Sequence, residues 1–266
     1  MNQAPRWIVF EQPLTERVRT YLRLEFLFDQ YLHHHADRSL WGQRAALQAL
    51  LDVFSVVGRT DLKTELLKEL SEQHANLSIL AGRPQVDRRR LDDVLEELHT
   101  TKSALQTGPS YLAAALREND FLHAVMNRLA IPGGTCTFDL PAYHRWLCRP
   151  AAAVARDLDR WRSQVAPLEM ALRVLLRLLR QSTPVIEEAA ESGVFLYTPR
   201  QAYQLLRVML SPEQDLYPEV SASRHRFSIR FMRFGEVDQR HMQAAEPVSF
   251  RLQCCALALA QVPAIP

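Results

Sequence analysis

The chain has 266 residues, of which 47% are hydrophobic and 23% charged, a composition typical of folded globular proteins and unlike that of disordered ones. Its formal net charge of +2 is too small to indicate nucleic-acid binding through overall charge, so an electrostatic partner would require a local patch. No stretch approaches the ~18 uninterrupted apolar residues of a membrane-spanning helix, and the apolar run at 7–10 is too short for a signal peptide. We therefore expect a cytoplasmic protein without membrane association.

The first predicted helix, over residues 15–32, is apolar around most of the helical wheel, with Phe26 inside the apolar arc. This pattern is typical of a buried helix. A narrow polar stripe carries Arg19 and Arg23, which lie four residues apart and therefore emerge on one face. Because a packed helix has little order left to lose on binding, the two guanidiniums are candidate anion-binding groups. The alternative is an internal ion pair, for which Glu16 lies three residues before Arg19.

Helical periodicity continues as far as Gln181, and glycines, prolines and capping residues divide it into separate helices. Ser39, Asp87 and Asn119 precede amphipathic segments and are predicted N-caps. The Pro-Gly-Gly sequence in the segment 131–138 predicts a turn, which a short strand could follow.

Beyond Ser182 the hydrophobic period changes from 3.6 to 2, which predicts a half-buried antiparallel sheet. The middle predicted strand carries a basic row, Arg224, Arg226 and Arg230, on the face opposite its apolar side chains. Three strands are predicted from the alternating apolar residues Leu206, Val208 and Leu210, then Phe227, Ile229 and Phe231, then Val248, Phe250 and Leu252.

These patterns predict an α+β protein, with a mainly helical bundle domain and a small antiparallel β domain. We expect the helical domain over 11–182, the β domain from 1–10 and 183–255, and a tail over 256–266. The four cysteines lack C-x-x-C spacing, so we expect free thiols and neither a metal site nor a cofactor.

Six separated segments, in matching order, resemble the ZapD family of cell division proteins. The resemblance covers the chain from residue 10 to about residue 255. The segments are FEQPLTERVRTYLRLEFL at 10–27, LLDVF at 50–54, TELLKEL at 64–70, IPGGTCTFDLPAYHRWL at 131–147, LYP at 216–218 and RFSIRFM at 226–232.

The resemblance implies a non-enzymatic homodimer that binds the tubulin-like GTPase FtsZ and bundles its filaments at the mid-cell division ring. It also implies a basic pocket that receives the acidic C-terminal tail of FtsZ. The residues of this sequence at the family's basic positions are Arg19, Arg23, Arg117 and His144, with Arg226 and Arg230 as further candidates.

Nucleic-acid binding is the alternative function from another class. It would use the basic row of the β domain, extended by the helical stripe Arg173, Arg177 and Arg180. Interleaved exposed aromatic residues, the usual platform for stacking bases, are not evident in these segments, so we do not favour it.

The sequence contains no set of residues whose types and spacing predict a catalytic centre. Glu25 and Asp29 are spaced like paired carboxylates, but a structural salt bridge explains them better, and His144 lacks a nucleophile with triad context. Consecutive side chains of His33–His35 point about 100° apart on a helix, which suits a solvated helix end better than a metal site.

Overall fold

The computed structural model describes seven segments of the chain. Arg117, Arg224 and residues 258–266 of the predicted tail lie outside them. The described residues form an α+β protein with a helical bundle and a small antiparallel β domain, which confirms the predicted fold class. The described segments are 7–58, 61–84, 86–108, 118–199, 201–222, 226–238 and 240–257.

The chain divides into two compact units. The β unit consists of Met1–Arg19 together with Arg177–Pro266, and the helical unit is Thr20–Leu176. Within the described residues, no helix combines the length and the apolarity needed to cross a membrane.

Capping residues set the starts of several helices, as predicted. The side chains of Ser39, Asp87 and Asn119 each accept a backbone N–H from the first turn of the helix that follows. The described helices are α1 (Glu16–Ala36), α2 (Leu40–Val57), α3 (Leu62–Ser78), α4 (Arg88–Thr107), α5 (Asp120–Leu129), α6 (Pro141–Leu147), α7 (Ala151–Ser163) and α8 (Ala166–Arg180).

Helix α1 is buried on one face only, so the prediction that its apolar arc, including Phe26, is buried around most of the helix is wrong. Phe26 is 62% exposed and Leu32 is 42% exposed. Phe26 falls away from the face that packs into the protein, because each residue turns the wheel by about 100°. Leu32 lies on the packed side of the wheel, but near the end of the helix at Ala36. The buried face carries Val18, Tyr21, Leu24, Phe28 and Tyr31.

The segment 131–138 forms consecutive turns, and the strand suggested for it is wrong. Gly133 has a φ of 72°, and the N–H of Gly134 donates to the carbonyl of Ile131 at 2.9 Å. The N–H of Cys136 likewise donates to the carbonyl of Gly133 at 3.0 Å. These local hydrogen bonds use the donors that a β-ladder would need.

The described residues of the β unit form two antiparallel sheets rather than one. One sheet has the order β1-β4-β8-β2, and the other has the order β3-β6-β5, with β7 paired to β6. The strands are β1 (Ile8–Pro13), β2 (Ile186–Ala190), β3 (Val194–Tyr197), β4 (Leu205–Leu210), β5 (Leu216–Ala222), β6 (Phe227–Arg233), β7 (Met242–Gln243) and β8 (Val248–Cys255).

The three predicted strands are confirmed as β4, β6 and β8, and their alternating apolar side chains form one core between the sheets. Phe231 and Phe250 meet across this core with ring centroids 4.7 Å apart. The outer strands β2, β3 and β5 escaped prediction because they lack clean alternation; β5, for example, contains Pro218 and is nowhere fully buried.

Candidate functional site

Helix α1 has a defined start and a packed face, which together fix the direction of its polar stripe. The side chain of Thr15 accepts the N–H of Val18 at 3.3 Å, and its carbonyl accepts the N–H of Arg19 at 3.0 Å. Glu16 in the first turn and histidines in the last turn complement the helix dipole. The polar stripe therefore projects from a rigid support.

Arg19 and Arg23 differ in what they contact. The Nε of Arg19 donates to Oε1 of Glu16 at 3.1 Å, as in the ion-pair alternative; the side chain of Arg19 is half-buried and that of Glu16 is exposed. Arg23 is exposed, and no hydrogen bond or ion pair joins it to another residue in the described part of the chain. Its guanidinium therefore keeps its donors available for an external anion.

Phe26 belongs to the same face of α1, although the sequence pattern placed it among the buried residues. It lies three residues after Arg23, so the two side chains are neighbours on the helix surface. Its exposed fraction of 62% is unusual for a phenylalanine in a long packed helix. The spacing alone predicts that Phe26 shares a face with the two arginines, because residues 19, 23 and 26 fall within an arc of about 60°.

Arg173 and Arg180 of α8 are engaged in ion pairs, each inside the unit to which it belongs. In the helical unit, Arg173 contacts Asp29 at 2.7 Å and Glu169 at 3.0 Å, and Arg162 contacts Glu169 at 2.6 Å. Asp29 therefore has the structural salt bridge predicted for it, although its side chain is 59% exposed.

In the β unit, Glu11 on β1 lies between two arginines. The guanidinium of Arg180 donates to both carboxylate oxygens at 2.8 Å, and Nε of Arg207 donates to one of them at 2.8 Å. Burial raises the pKa of Glu11, but the hydrogen bonds and charges of the two arginines outweigh it, so the pKa lies below its ordinary value. The carboxylate is thus held ionised, and Arg180 is occupied.

The basic row on β6 is partly neutralised as well. Arg230 lies opposite Glu219 in the β5–β6 ladder and contacts it at 3.4 Å. Arg226 is exposed just before the strand, and it also has an interaction within the protein.

His144 is exposed on α6, where its Nε2 lies 3.8 Å from Sγ of Cys148. His35 departs from the predicted solvated helix end, because its side chain is 17% exposed and contacts Asp159 at 3.0 Å. Among the described residues, no group of three or more His, Cys, Asp or Glu side chains could hold a metal ion.

A cavity of about 620 Å³ lies in the β unit. Ile8, Phe10, Tyr217 and Phe234 line it, together with Asp215. No arginine or lysine contributes to its wall, so its chemistry differs from that of the basic pocket that the resemblance implies.

Comparisons with known proteins agree on one family. The family model for ZapD, described as a cell division protein, matches residues 22–230. Cell division protein ZapD of Bordetella petrii is 36% identical over 250 residues, which are 94% of this chain and 99% of the relative. ZapD of Methylococcus capsulatus is 36% identical over 94% of this chain and 98% of the relative, and ZapD of Escherichia coli O17:K52:H18 is 37% identical over 93% and 98%.

Proposed function

Because the chain belongs to the ZapD family of cell division proteins, we propose that it is a non-enzymatic factor that binds the acidic C-terminal tail of FtsZ. In this proposal a homodimer presents two tail-binding sites, ties two FtsZ filaments together and supports Z-ring assembly in the cytoplasm at mid-cell. The cell division role rests on the family; the partner, the dimer and the bundling are what we propose.

The observation that carries the proposal is the state of Arg23. It is an exposed arginine that has no hydrogen bond or ion pair with any described residue, on a helix whose buried side chains, such as Leu24 and Phe28, are 0–2% exposed. A guanidinium binds a carboxylate through paired, charge-assisted hydrogen bonds, and a rigid support lowers the entropy lost on binding. An acidic peptide is the ligand chemistry that this group fits.

The remaining candidates are proposed within the unit to which each belongs. Arg19 reaches the same face, and its exposed pair with Glu16 is a weak competitor, since such pairs contribute about 0–1 kcal/mol. His144, Arg226 and Arg230 are all exposed and remain proposed partner-binding residues, as does Arg117.

Two sites on one dimer would make bundling stronger than any single contact. Once one tail is bound, the second binds at a high effective concentration, which raises overall avidity by about 10²-fold or more. Raising the salt concentration should dissolve the bundles, because charges on the surface are screened beyond ~8 Å at physiological ionic strength.

The test is co-sedimentation with GTP-polymerised FtsZ, with full-length FtsZ and tail-truncated FtsZ as the two arms. We expect pelleting that requires the tail and declines as salt is raised from 50 to about 300 mM. Pelleting that ignores both the tail and the salt would contradict the electrostatic mechanism.

A pair of arginine variants tests the site itself. Arg23→Ala should abolish tail-dependent pelleting and leave the circular dichroism spectrum unchanged, because Arg23 has no hydrogen bond or ion pair with the residues that the structure describes. Arg156→Ala is the matched control, since Arg156 is also exposed on a helix of the helical unit and has no ion pair among the described residues. Equal loss in both variants would mean that general positive charge, and not this face, supports binding.

Nucleic-acid binding is less well supported, because three of its proposed cations are compensated. Arg173, Arg180 and Arg230 each pair with a carboxylate of the same unit. Retention on DNA with a steep loss of affinity as salt rises would favour this alternative over tail binding.

A further inference from the structure

The exposed face of α1 combines a cation with an aromatic ring. Arg23 and Phe26 lie one helical turn apart, both exposed, while the opposite face of α1 is buried. Phe26 makes no ring contact with another residue in the described part of the chain. The ring therefore serves neither the core nor a surface cluster.

This pairing is the chemistry of a protein-binding surface. Aromatic residues and arginine are the types enriched among the residues that dominate binding energies, whereas an isolated exposed ring contributes little to folding. The neighbours of Arg23 on this face would not repel an acidic ligand. Glu16 is already paired with Arg19, and the next residue on the face, Gln30, is neutral.

We propose that Phe26 is a specificity residue of the tail-binding face, and that the bound acidic peptide places an apolar side chain on this ring while its carboxylate contacts Arg23. This inference rests on the proposed function and goes further, because it states what the ligand must carry besides negative charge.

The geometry also sets the spacing in the peptide. Side chains three residues apart on a helix have Cβ atoms about 5–6 Å apart. In an extended peptide, residues i and i+2 lie on one side and are about 6.6 Å apart. The required ligand is therefore an extended segment with an acidic residue and an apolar residue at positions i and i+2.

The experiment measures single-site binding of a fluorescent FtsZ tail peptide by anisotropy, which avoids the avidity of filaments. Phe26→Ala should weaken binding about five- to tenfold while leaving the salt dependence unchanged, and Phe26→Leu should recover most of the affinity. Phe138→Ala is the control, because Phe138 is 82% exposed in the same unit but lies in the turn segment 131–138.

Peptide variants complete the design. In the peptide, serine should replace the apolar residue two positions from the acidic one. This change should weaken binding to the wild-type protein but have little further effect on the affinity for the Phe26→Ala variant. Affinity of Phe26→Ala within twofold of wild type, with the wild type binding normally, would overturn this inference alone. A wild-type protein that does not bind the peptide would overturn the proposed function as well.

Discussion

Replacing Glu11 with glutamine should destabilise the β unit strongly. The substitution keeps the shape of the side chain but removes the charge that faces Arg180 and Arg207. Three hydrogen bonds of 2.8 Å reach the carboxylate from these two guanidiniums. The single amide oxygen of glutamine can accept only some of these three hydrogen bonds. In addition, the two partly buried guanidiniums lose the negative charge that balances them.

The expected magnitude follows from the exposure of the three side chains, which is 19% for Glu11, 25% for Arg180 and 20% for Arg207. Removing one partner of a fully buried pair costs about 3–5 kcal/mol, and removing one from an exposed pair costs about 0–1 kcal/mol. The cluster lies nearer the buried limit, and glutamine retains one acceptor, so we expect a loss of about 2–3 kcal/mol in the free energy of unfolding at pH 7.

The pH dependence gives an independent check. Because the pKa of Glu11 is lowered in the folded protein, its contribution to stability is present above the unfolded pKa and is lost as the pH falls through the folded pKa. Urea denaturation followed by circular dichroism, from pH 7 down to pH 3, should therefore show the wild type and Glu11→Gln converging at acidic pH.

Glu187→Gln is the matched control, because Glu187 also pairs with an arginine on a neighbouring strand. That pair, with Arg251 at 3.0 Å, is exposed, with 79% of the Glu187 side chain accessible. We expect a change within about 0.5 kcal/mol for this variant. Equal stability of the two variants at pH 7, or parallel pH curves for wild type and Glu11→Gln, would refute the role assigned to the cluster.

Two further predictions concern the β unit and the thiols. Gly193→Ala should lower the free energy of unfolding by about 2–4 kcal/mol, because Gly193 has a φ of 69° and an added Cβ would lie 2.2 Å from the carbonyl oxygen of Ala244. Gly235→Ala is the control. Nothing lies within 4 Å of a Cβ added at Gly235, so this variant should be nearly neutral in the same urea titration. Cys148 is exposed and should react first with a thiol reagent at pH 8, whereas burial raises the pKa of Cys254 to about 12 and should keep it unreactive. Cys148→Ser should then remove the fast phase, and its persistence would contradict this assignment.

The sequence predicted those parts of the fold that depend on local chemistry. Ser39, Asp87 and Asn119 were recognisable as N-caps because a side-chain oxygen before an amphipathic run has a backbone N–H to accept. The three central strands were recognisable because β4, β6 and β8 contribute alternate residues to one core.

The parts that escaped prediction depend on distant residues. Nothing local to Arg180 indicates that Glu11, on the first strand, would be its partner, and nothing local to Arg173 indicates Asp29. The position of Arg23 on the helix was enough to make it a candidate anion-binding residue. That it has no ion pair with the described residues depends on which carboxylates the other arginines contact. Phe26 was predicted to be buried because hydrophobicity alone does not distinguish a buried ring from an exposed one.

The order of the units along the chain has a consequence for synthesis in the cell. The helical unit is continuous, whereas β1 at the start of the chain pairs with β4, and β4 pairs with β8 near the end. At about 5–20 residues per second, the stretch from Arg177 to Pro266 takes roughly 5–20 s to translate. During that time the helical unit can fold, while β1 waits with unpaired backbone groups. Until β4 has been synthesised, the unpaired edge of β1 can be bound by chaperones or can pair wrongly with another chain. This interval arises because a strand at the start of the chain pairs with one that is synthesised late.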